Sequence, residues 1–469
     1  MVNRLVPHPT EPTGPPGARR PPAVGSLMEL PAIVALADQH GRNATLAAVR
    51  AAVERIRARG AEAPAPATSL EGLVEEIGSI LAGTPRRLRR VVNGTGVVIH
   101  TNLGRAPVAA IAASRAAELA ASYSNLELDL ATGRRGDRQS LLVDLLRRMT
   151  GVEAAMVVNN GAAAVLLGLA ALCARREVVV SRGEAIEIGG GFRIPDILRL
   201  SGARLVEVGT TNRTRVSDYL EACSDRTAAF LRVHQSNFRM EGFVQRPAVA
   251  ELARAAHERG VLLLEDVGSG LVPPPTPVVA AEDRLSASSA AGVDLIFSSG
   301  DKLLGASQAG LVMGRGPLVE KMRRHPLARA LRPDKLQLAV LEETLLCYEA
   351  PGRLAEIPVW RMLNSSPEEL RARAERWALT LTARGVDAGV VPLEGAVGGG
   401  TTPGPALPSH GVLITTAQPG AARRLLLRGD PPVLCLERAT GVAVDARCVL
   451  PEEEGVLLSA LTAAFGGAA

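Results

Sequence analysis

Lysine is nearly absent from this chain of 469 residues. Only Lys302, Lys321 and Lys335 occur among its 53 basic residues, so the other fifty are arginine. An arginine side chain stays protonated and does not form a stable imine with a carbonyl compound. Any chemistry that needs a primary amine from a side chain is therefore confined to three positions.

Cysteines, aromatic residues and long apolar runs are also scarce. The five cysteines are scattered without a Cys-x-x-Cys pair, which argues against a zinc site or a disulfide framework and favours a reducing compartment such as the cytoplasm. Aromatic residues make up 2% of the chain, so we do not expect RNA bases to stack on aromatic side chains. No uncharged apolar run reaches the roughly 18 residues of a membrane helix. The first 22 residues lack the apolar segment of a secretory signal.

The length of the chain predicts more than one domain, because single hydrophobic cores stop growing at about 250–300 residues. We predict a disordered lead over residues 1–26 and a small helical domain over 27–85, in which Asn43 caps a helix. A large α/β domain is expected over 86–335, and a smaller α+β domain over 336–469.

The large domain is predicted from continuous apolar runs that alternate with amphipathic helical patterns. Such runs are typical of strands buried on both faces of a mostly parallel sheet with helices on both sides. The runs are AAMVV (154–158), EVVVS (177–181), ARLVEV (203–208), AAFLRV (228–233), VLLLED (261–266), VDLIFSS (293–299) and GLVMG (310–314). Sparser strands follow two further helical stretches, which predicts the α+β character of the C-terminal part.

The positive charge is concentrated at the N-terminal end. Residues 1–90 contain twelve arginines and eight acidic residues, a net charge of +4 out of the +5 of the whole chain. A solvated helical face with a basic linker and a surface that binds a polyanion both fit this charge, and charge alone does not choose between them.

Three features at predicted strand ends combine into a candidate site. Lys302 follows a buried strand and has glycines on both sides, Asp266 ends another strand, and Asn160-Gly161-Ala162 forms a turn from a strand into a helix. The turn suits a phosphate, and a carboxylate at a strand end suits a pyridinium nitrogen. Taken singly, each has an ordinary explanation: a surface lysine, a helix cap and a common Gly-Ala turn. Their order along the chain is that of the aspartate-aminotransferase type of pyridoxal phosphate (PLP) fold.

The segments around these features resemble the bacterial selenocysteine synthase family. The resemblance runs from about residue 27 to residue 455. It is carried by NGTGVVIHTNLGRAP (93–107), YSNLELDLATGRRGDR (123–138), SRGEAIEIGGGFRIPDI (181–197), VGTTNRT (208–214), RVHQSNFRMEGF (232–243), EDVGSG (265–270), SGDKLLGASQAG (299–310) and DARCVLPEEEG (445–455). Gly161, where a third asparagine is expected, and Ala306-Ser307, where Gly-Pro is expected, depart from the pattern.

The resemblance implies a fold type I PLP enzyme that acts on an aminoacyl-tRNA. It implies conversion of seryl-tRNA(Sec) to selenocysteinyl-tRNA(Sec) with selenophosphate, through a PLP-bound dehydroalanyl intermediate. The N-terminal helical domain would bind the tRNA, and the assembly would be a cytoplasmic homodecamer with no membrane or DNA partner. No metal is implied.

The resemblance also implies roles for particular residues. Lys302 would form the Schiff base with PLP and act as the base, and Asp301 beside it would be catalytic. The remaining cofactor contacts would come from Asp266, Asn160, Gly161, Ala162, His234 and Asn237, and the phosphate of the selenium donor would be bound by Arg105, Arg329 and Arg332. A structural role for His234 and two solvated arginines on one helical face remain open alternatives. Arg182 and Glu184 are further candidates near the face of the ring.

Two other functions remain to be separated from this one. A related PLP-dependent lyase acting on a small phosphorylated sugar acid would not need the basic N-terminal segment. A nucleic-acid-binding protein without catalysis would not need a lone lysine at a strand end among fifty arginines.

Overall fold

The computed structural model describes residues 23–59, 70–82, 87–188, 191–274, 276–401 and 404–466. The chain divides into two compact units, Met1–Arg89 and Arg90–Ala469. Most of the predicted lead lies outside the described residues. Within the described ranges, none of the helices combines the length and apolar character needed to cross a membrane.

The N-terminal unit is helical, as the sequence predicts. Its helices are α1 (Val24–Met28), α2 (Pro31–His40), α3 (Arg42–Arg59) and α4 (Leu70–Ala82). They pack around a small core that includes Ile33, Val49 and Ile77. Because α3 already begins at Arg42, Asn43 lies in its first turn and does not cap it.

The second unit contains the remaining helices and all the strands of the described residues. Its helices are α5 (Ala110–Ala120), α6 (Val143–Thr150), α7 (Gly161–Cys173), α8 (Ile194–Leu200), α9 (Val216–Ala222), α10 (Val249–Glu258), α11 (Leu285–Ala290), α12 (Gly316–Arg324), α13 (Pro326–Ala330), α14 (Lys335–Glu349), α15 (Pro358–Asn364), α16 (Pro367–Ala383), α17 (Pro419–Arg428) and α18 (Glu454–Phe465). Its strands are β1 (Val92–Gly94), β2 (Val97–Ile99), β3 (Ala154–Val158), β4 (Glu177–Ser181), β5 (Glu187–Ile188), β6 (Phe192–Arg193), β7 (Arg204–Val208), β8 (Thr227–Val233), β9 (Leu262–Gly268), β10 (Leu295–Ser299), β11 (Gly310–Gly314), β12 (Ala388–Gly398), β13 (Leu407–Thr415), β14 (Val433–Arg438) and β15 (Gly441–Asp445).

The large sheet contains the seven predicted strands in the order β3-β11-β10-β9-β8-β4-β7. All pairings are parallel except those of β11, which is antiparallel to both of its neighbours. Apolar cores cover both faces, which is why these strands are apolar without alternation. Since β3, β8, β9 and β10 run in the same direction, their carboxyl ends meet at one edge of the sheet.

A second, six-stranded sheet has the order β1-β14-β15-β13-β12-β2 and packs against α16, α17 and α18. Its two outer strands come from residues 92–99, which the sequence places in the large domain. Conversely, α14 contributes Leu338, Leu341 and Leu345 to the core of the large sheet. The start of the predicted large domain therefore belongs to the second sheet, and the start of the predicted small domain packs against the large sheet.

The glycines of the first motif explain how residues 92–99 join the second sheet. A Cβ on Gly94 would lie 2.8 Å from Val444 Cγ1, and one on Gly96, which has a φ of +75°, would lie 2.5 Å from Asp445 Oδ2. Asn93 Oδ1 accepts hydrogen bonds from the backbone N–H and the hydroxyl of Thr95, at 3.1 and 2.7 Å. This turn needs small residues because it lies directly against β15.

Candidate active site

A pocket of about 250 Å³ lies at the carboxyl edge of the large sheet. Its lining residues are Arg105, Asn160, Gly161, Ala162, His234, Ser236, Asp266, Gly268, Ser299, Lys302 and Gln308. The ends of β3, β8, β9 and β10 thus bring together residues that are more than 140 positions apart in the chain. The volume lies below the roughly 300–1,000 Å³ of drug-sized sites, so the pocket suits one small group.

The turn after β3 forms one end of the pocket. Asn160 caps α7 by accepting a hydrogen bond from the backbone N–H of Ala163, at 2.9 Å. Gly161 and Ala162 line the pocket at the start of α7, where backbone N–H groups have no helical carbonyl to bind and attract an anion.

Gly161 also explains one departure from the family pattern. A Cβ at this position would lie 2.5 Å from Ser299 Oγ. In this chain the Ser299 hydroxyl therefore occupies space beside the turn that a larger residue 161 would need.

Lys302 lies in the turn after β10 and is 7% exposed. The turn is fixed from both sides: Leu303 N–H donates to the Ser269 carbonyl at 2.9 Å, and Tyr348 donates its hydroxyl to the Leu304 carbonyl at 2.9 Å. Burial lowers the pKa of the Lys302 amine, while the charges of Asp266 and Asp301 oppose this shift. A substantial neutral fraction of the amine is thus favoured at lower pH than for an ordinary lysine.

Gly400, which lies just after the end of β12, approaches Lys302. A Cβ on Gly400, which has a φ of +87°, would lie 2.5 Å from Lys302 Cε and 2.9 Å from its Nζ. A Cβ on Gly399 would lie 2.4 Å from Thr101 Cγ2. The chain just after β12 therefore forms a wall beside the amine, with no room for a side chain at position 400.

Asp266 and His234 line the pocket on neighbouring strands. Burial raises the pKa of the Asp266 carboxyl, and the Lys302 charge and the Gly268 N–H, whose nitrogen lies 3.0 Å from Oδ1, oppose the rise. His234 Nδ1 accepts from the Ser236 N–H at 3.0 Å, so its other nitrogen carries the proton. That nitrogen, Nε2, donates to Glu282 Oε1 at 3.1 Å, which fixes the orientation of the imidazole.

Arg105 and Asp301 form an ion pair at the rim of the pocket. Arg105 Nη1 lies 2.5 Å from Asp301 Oδ2, and the carboxylate is almost fully buried. Arg105 has a φ of +67°, and its N–H donates to the His100 carbonyl at 3.0 Å. The tight turn therefore aims the guanidinium at the residue beside Lys302.

Other predicted site residues do not line the pocket. Arg332 lies 3.5 Å from Glu127, and Arg329 is exposed on α13. The C-terminal end of this helix nevertheless borders the turn after β3, because the carbonyl of its C-cap residue Leu331 accepts from the Asn159 N–H at 2.9 Å. Asn237 donates its side-chain amide to the Glu187 carbonyl at 3.2 Å.

The two candidates for the face of the ring have other contacts. Glu184 accepts from the Val233 N–H at 2.9 Å and from Arg246 at 2.6 Å. Arg182 donates to the Gly209 carbonyl. Neither lines the pocket, whereas His234 does.

Sequence reasoning missed four lining residues, Ser236, Gly268, Ser299 and Gln308. Ser299 and Gln308 lie within the segment SGDKLLGASQAG, and the other two lie in the motifs that carry His234 and Asp266. For Ser299 and Gln308, proximity to Lys302 in the sequence was the available signal. Ser236 has a left-handed φ of +63°, which no sequence pattern revealed.

The residues present fit PLP. The pocket provides a buried amine, a carboxylate and the N-terminus of α7, which match an aldehyde, a pyridine nitrogen and a phosphate. The buried Ser236 hydroxyl lines the same pocket and has no hydrogen-bond partner among the described residues. A polar ligand would satisfy this group.

Comparisons with known proteins agree with the site. Residues 91–450 match the family described as L-seryl-tRNA selenium transferase, and residues 19–57 match the selenocysteine synthase N-terminal family. A protein of Moorella thermoacetica named L-seryl-tRNA(Sec) selenium transferase is 46% identical over 388 residues, which cover 81% of this chain and 83% of that protein. A protein of the same name from Geobacter sulfurreducens is 43% identical over 456 residues, covering 94% and 98%.

Among solved structures, D-glucosaminate-6-phosphate ammonia-lyase superimposes with a TM-score of 0.56 at 21% identity, covering 81% of this chain and 98% of that one. This similarity concerns the fold. The predicted fold class, an α/β fold of type I with a helical N-terminal part, is confirmed.

Proposed function

The chain belongs to the L-seryl-tRNA selenium transferase family, and from this premise we propose that it converts seryl-tRNA(Sec) to selenocysteinyl-tRNA(Sec) with selenophosphate. The observation that carries the proposal is the pocket in which Lys302, Asp266 and the start of α7 converge. Lys302 is one of only three lysines in the chain, and it is the one that lies in this pocket.

PLP, when bound, would supply an electron sink for the negative charge that develops at the seryl Cα. Lys302 would bind the aldehyde group of PLP, and Asp266 would pair with its pyridine nitrogen. Its phosphate would be held by Asn160, Gly161, Ala162 and Ser299. The His234 imidazole, fixed by Glu282, would orient the ring.

The proton transfers fall to Lys302. Burial keeps the amine neutral to lower pH than usual, which supports a role as the base that takes the proton from Cα. Hydroxide then leaves Cβ and takes up a proton as water, the selenium of the donor bonds to Cβ, and Lys302 returns the proton to Cα. Water cleaves the P–Se bond, which releases phosphate.

The donor phosphate would be bound first by Arg105, whose guanidinium Asp301 holds at the pocket rim. Arg329 and Arg332 belong to the same proposal, since Leu331, which lies between them, bonds to Asn159 at the turn after β3. Asp301 would then be a residue that positions Arg105. Asn237 stays in the proposal as a residue of the loop that carries Ser236.

We further propose that the enzyme works in the cytoplasm as a homodecamer and that the N-terminal helical unit binds the tRNA. The net charge of +4 over residues 1–90 supports the last point. Light scattering on the purified protein measures the size of the assembly.

The test is direct. The purified protein is incubated with seryl-tRNA(Sec) and selenophosphate, and the aminoacyl group is released and identified. We expect selenocysteine. Release of ammonia from a phosphorylated sugar acid, without any change in the tRNA, would instead favour the small-substrate lyase.

A further inference from the structure

A second charged cleft lies in the catalytic unit. It opens between α15, α16 and residues 447–454, has a volume of about 660 Å³, and shares no lining residue with the Lys302 pocket. Four arginines line it, Arg361, Arg373, Arg376 and Arg447, and among the described residues its acidic lining residues are Glu369 and Glu454.

The two carboxylates are already engaged. Glu454 accepts from Arg373 Nε at 2.6 Å and from Trp377 Nε1 at 3.1 Å. Glu369 accepts from the Ser366 N–H at 2.9 Å in the capping box of α16. The cleft therefore has two positive charges in excess of its negative ones.

Arg447 is a buried part of this excess. It is 4% exposed, and its guanidinium donates to the carbonyls of Met362 at 2.7 Å and Pro408 at 2.6 Å. Among the described residues, no carboxylate oxygen lies within 4 Å of the Arg447 guanidinium. Asp445 accepts from the Arg447 backbone N–H, and its charge offsets part of the guanidinium charge. When Asp445 is counted together with Glu369 and Glu454, the cleft still has one positive charge in excess.

Arg373 experiences the crowding of these cations. Burial lowers its pKa most, and the charges of Arg376 and Arg361 lower it further, against the opposing effect of Glu454. Its guanidinium lies 5.0 Å from the Trp377 ring, which holds it in place. An anion in the cleft would relieve this repulsion.

Arg361 and Arg376 are available for such an anion. In the described part of the chain, neither guanidinium has a carboxylate within 4 Å, and the Arg376 guanidinium makes one long hydrogen bond of 3.3 Å, to the Ala372 carbonyl. Arg371 on the same helix differs, because it pairs with Glu375 at 3.0 Å and lies outside the cleft. Concave shape, buried charge and unpaired guanidinium groups thus coincide at one place.

We propose that this cleft is a binding site for a phosphate group. Planar guanidinium groups bind phosphoryl oxygens with paired hydrogen bonds, and Arg361 and Arg376 line this cleft without a carboxylate partner among the described residues. The phosphate belongs either to an RNA backbone or to a small phosphorylated molecule. The RNA source rests on the proposed function, and the small-anion source does not.

The experiment compares two double variants of the full-length holoenzyme. Arg361→Gln with Arg376→Gln removes two charges from the cleft. Arg371→Gln with Arg384→Gln removes two charges from α16 and its C-terminal end, outside the cleft, so the net charge of the two proteins is the same. Inorganic phosphate is titrated by calorimetry, and tRNA(Sec) binding is measured over a series of salt concentrations.

We expect the control to bind both probes as the wild type does. In the cleft variant, phosphate binding at this site should weaken by about tenfold or more, since each lost charged hydrogen bond costs about that factor. If the source is RNA, the slope of log affinity against log salt should also decrease by about 1.4 to 1.8 for two lost contacts. A change with phosphate alone assigns the cleft to a small anion.

Identical behaviour of the two double variants with both probes would overturn the proposal. Turnover of seryl-tRNA(Sec) is measured in parallel, so a failure of the proposed function shows itself separately as an inactive wild type. Any phosphate bound at the Lys302 pocket would be the same in both variants, since neither changes that pocket, and it therefore cancels in the comparison.

Discussion

Lys302 lies among groups that act on its charge in opposite directions. Desolvation favours the neutral amine, and Asp266 and Asp301 favour the ammonium form. The amine is thus prepared for proton transfer while a carboxylate remains close by. Similar tuning of a buried lysine is a common feature of catalytic sites.

Substitution of Lys302 by alanine should abolish covalent retention of PLP. The wild-type protein should show an absorption band at roughly 410–430 nm, and borohydride should fix the cofactor to Lys302. Peptide mapping identifies the modified residue. Lys321→Ala is the control and should behave as the wild type. Label on Lys321 or Lys335 would remove Lys302 from its proposed role.

The lowered pKa of Lys302 predicts a specific pH dependence. After removal of PLP, an amine-reactive reagent should label Lys302 with a midpoint below the roughly 10.4 of an ordinary lysine. The sign follows from burial, which disfavours the ammonium and so releases its proton at lower pH. Labelling of each lysine is followed by mass spectrometry across the pH range. A midpoint at or above the ordinary value contradicts this account of the site.

Asp266→Asn should separate cofactor binding from turnover. The amide keeps the size of the side chain but cannot hold a proton on a ring nitrogen as a carboxylate does. We expect PLP to be retained and kcat to fall by at least about a hundredfold. Single-turnover assays with seryl-tRNA(Sec) measure the effect, and near-normal activity would move the partner of the ring nitrogen elsewhere.

Gly400→Ala tests the glycine wall beside Lys302. The new methyl group would overlap Lys302 Cε, and the φ of +87° would strain the backbone by about 1–3 kcal/mol. PLP affinity should therefore fall by about tenfold or more, as measured by equilibrium titration. Gly389→Ala, on strand β12 that leads to this segment, is the control, because nothing lies within 4 Å of its Cβ position. Equal affinities in the two variants would show that the wall does not constrain the amine.

At the scale of elements, the first turn of α14 links the loops of the pocket. Asp334 caps the helix, and the Gln337 side chain completes the capping box. Gln337 Nε2 also donates to the Gln308 carbonyl at 2.8 Å, and Ser307 donates its hydroxyl to the Gln337 carbonyl at 2.8 Å. The serine that departs from the family pattern thus adds a contact between the lysine loop and α14.

Gln337→Ala should loosen this connection. The change removes the bonds to Gln308 and to the Asp334 N–H, and we expect a loss of about 1–2 kcal/mol in the free energy of unfolding. Urea denaturation measures the loss. Gln337→Glu keeps the acceptor for Asp334 and loses only the donor, so its effect should be smaller. Equal losses in the two variants would show that the bond to the Asp334 N–H contributes little to the stability.

At the scale of the whole molecule, charge and chemistry lie in different units. The N-terminal unit has its own core, and all residues of the Lys302 pocket lie after residue 89. Arg55 in α3 is largely exposed and lies 3.7 Å from Glu76, so this ion pair is weak and leaves the guanidinium accessible.

Deletion of residues 1–82 should therefore leave a folded protein that retains PLP but loses tRNA affinity. The affinity of the intact chain should fall with salt, with a log–log slope of about −0.7 to −0.9 for each phosphate contact. Replacing Arg55, Arg57 and Arg59 together should flatten the slope without changing the absorption band. Filter binding at several salt concentrations measures both. Unchanged affinity after truncation would favour the small-substrate lyase.

The sequence by itself determined the strands and the family. The continuous apolar runs at 154–158 and 310–314 have the length of a strand and the composition of one buried on both faces. Both strands have the predicted bounds. The scarcity of lysine singled out Lys302 before any geometry was known. These are local or compositional properties, which can be seen along the chain.

Only the tertiary structure decided which segments meet. The pairing of residues 92–99 with C-terminal strands, the approach of Gly400 to Lys302 and the separation of Arg332 from the pocket all depend on contacts distant in sequence. The cleft around Arg447 likewise joins residues from three segments. Arginine is so frequent in this chain that no pattern distinguishes these positions. Burial and the absence of a nearby carboxylate distinguish these arginines from the others, and both properties exist only once the chain is folded.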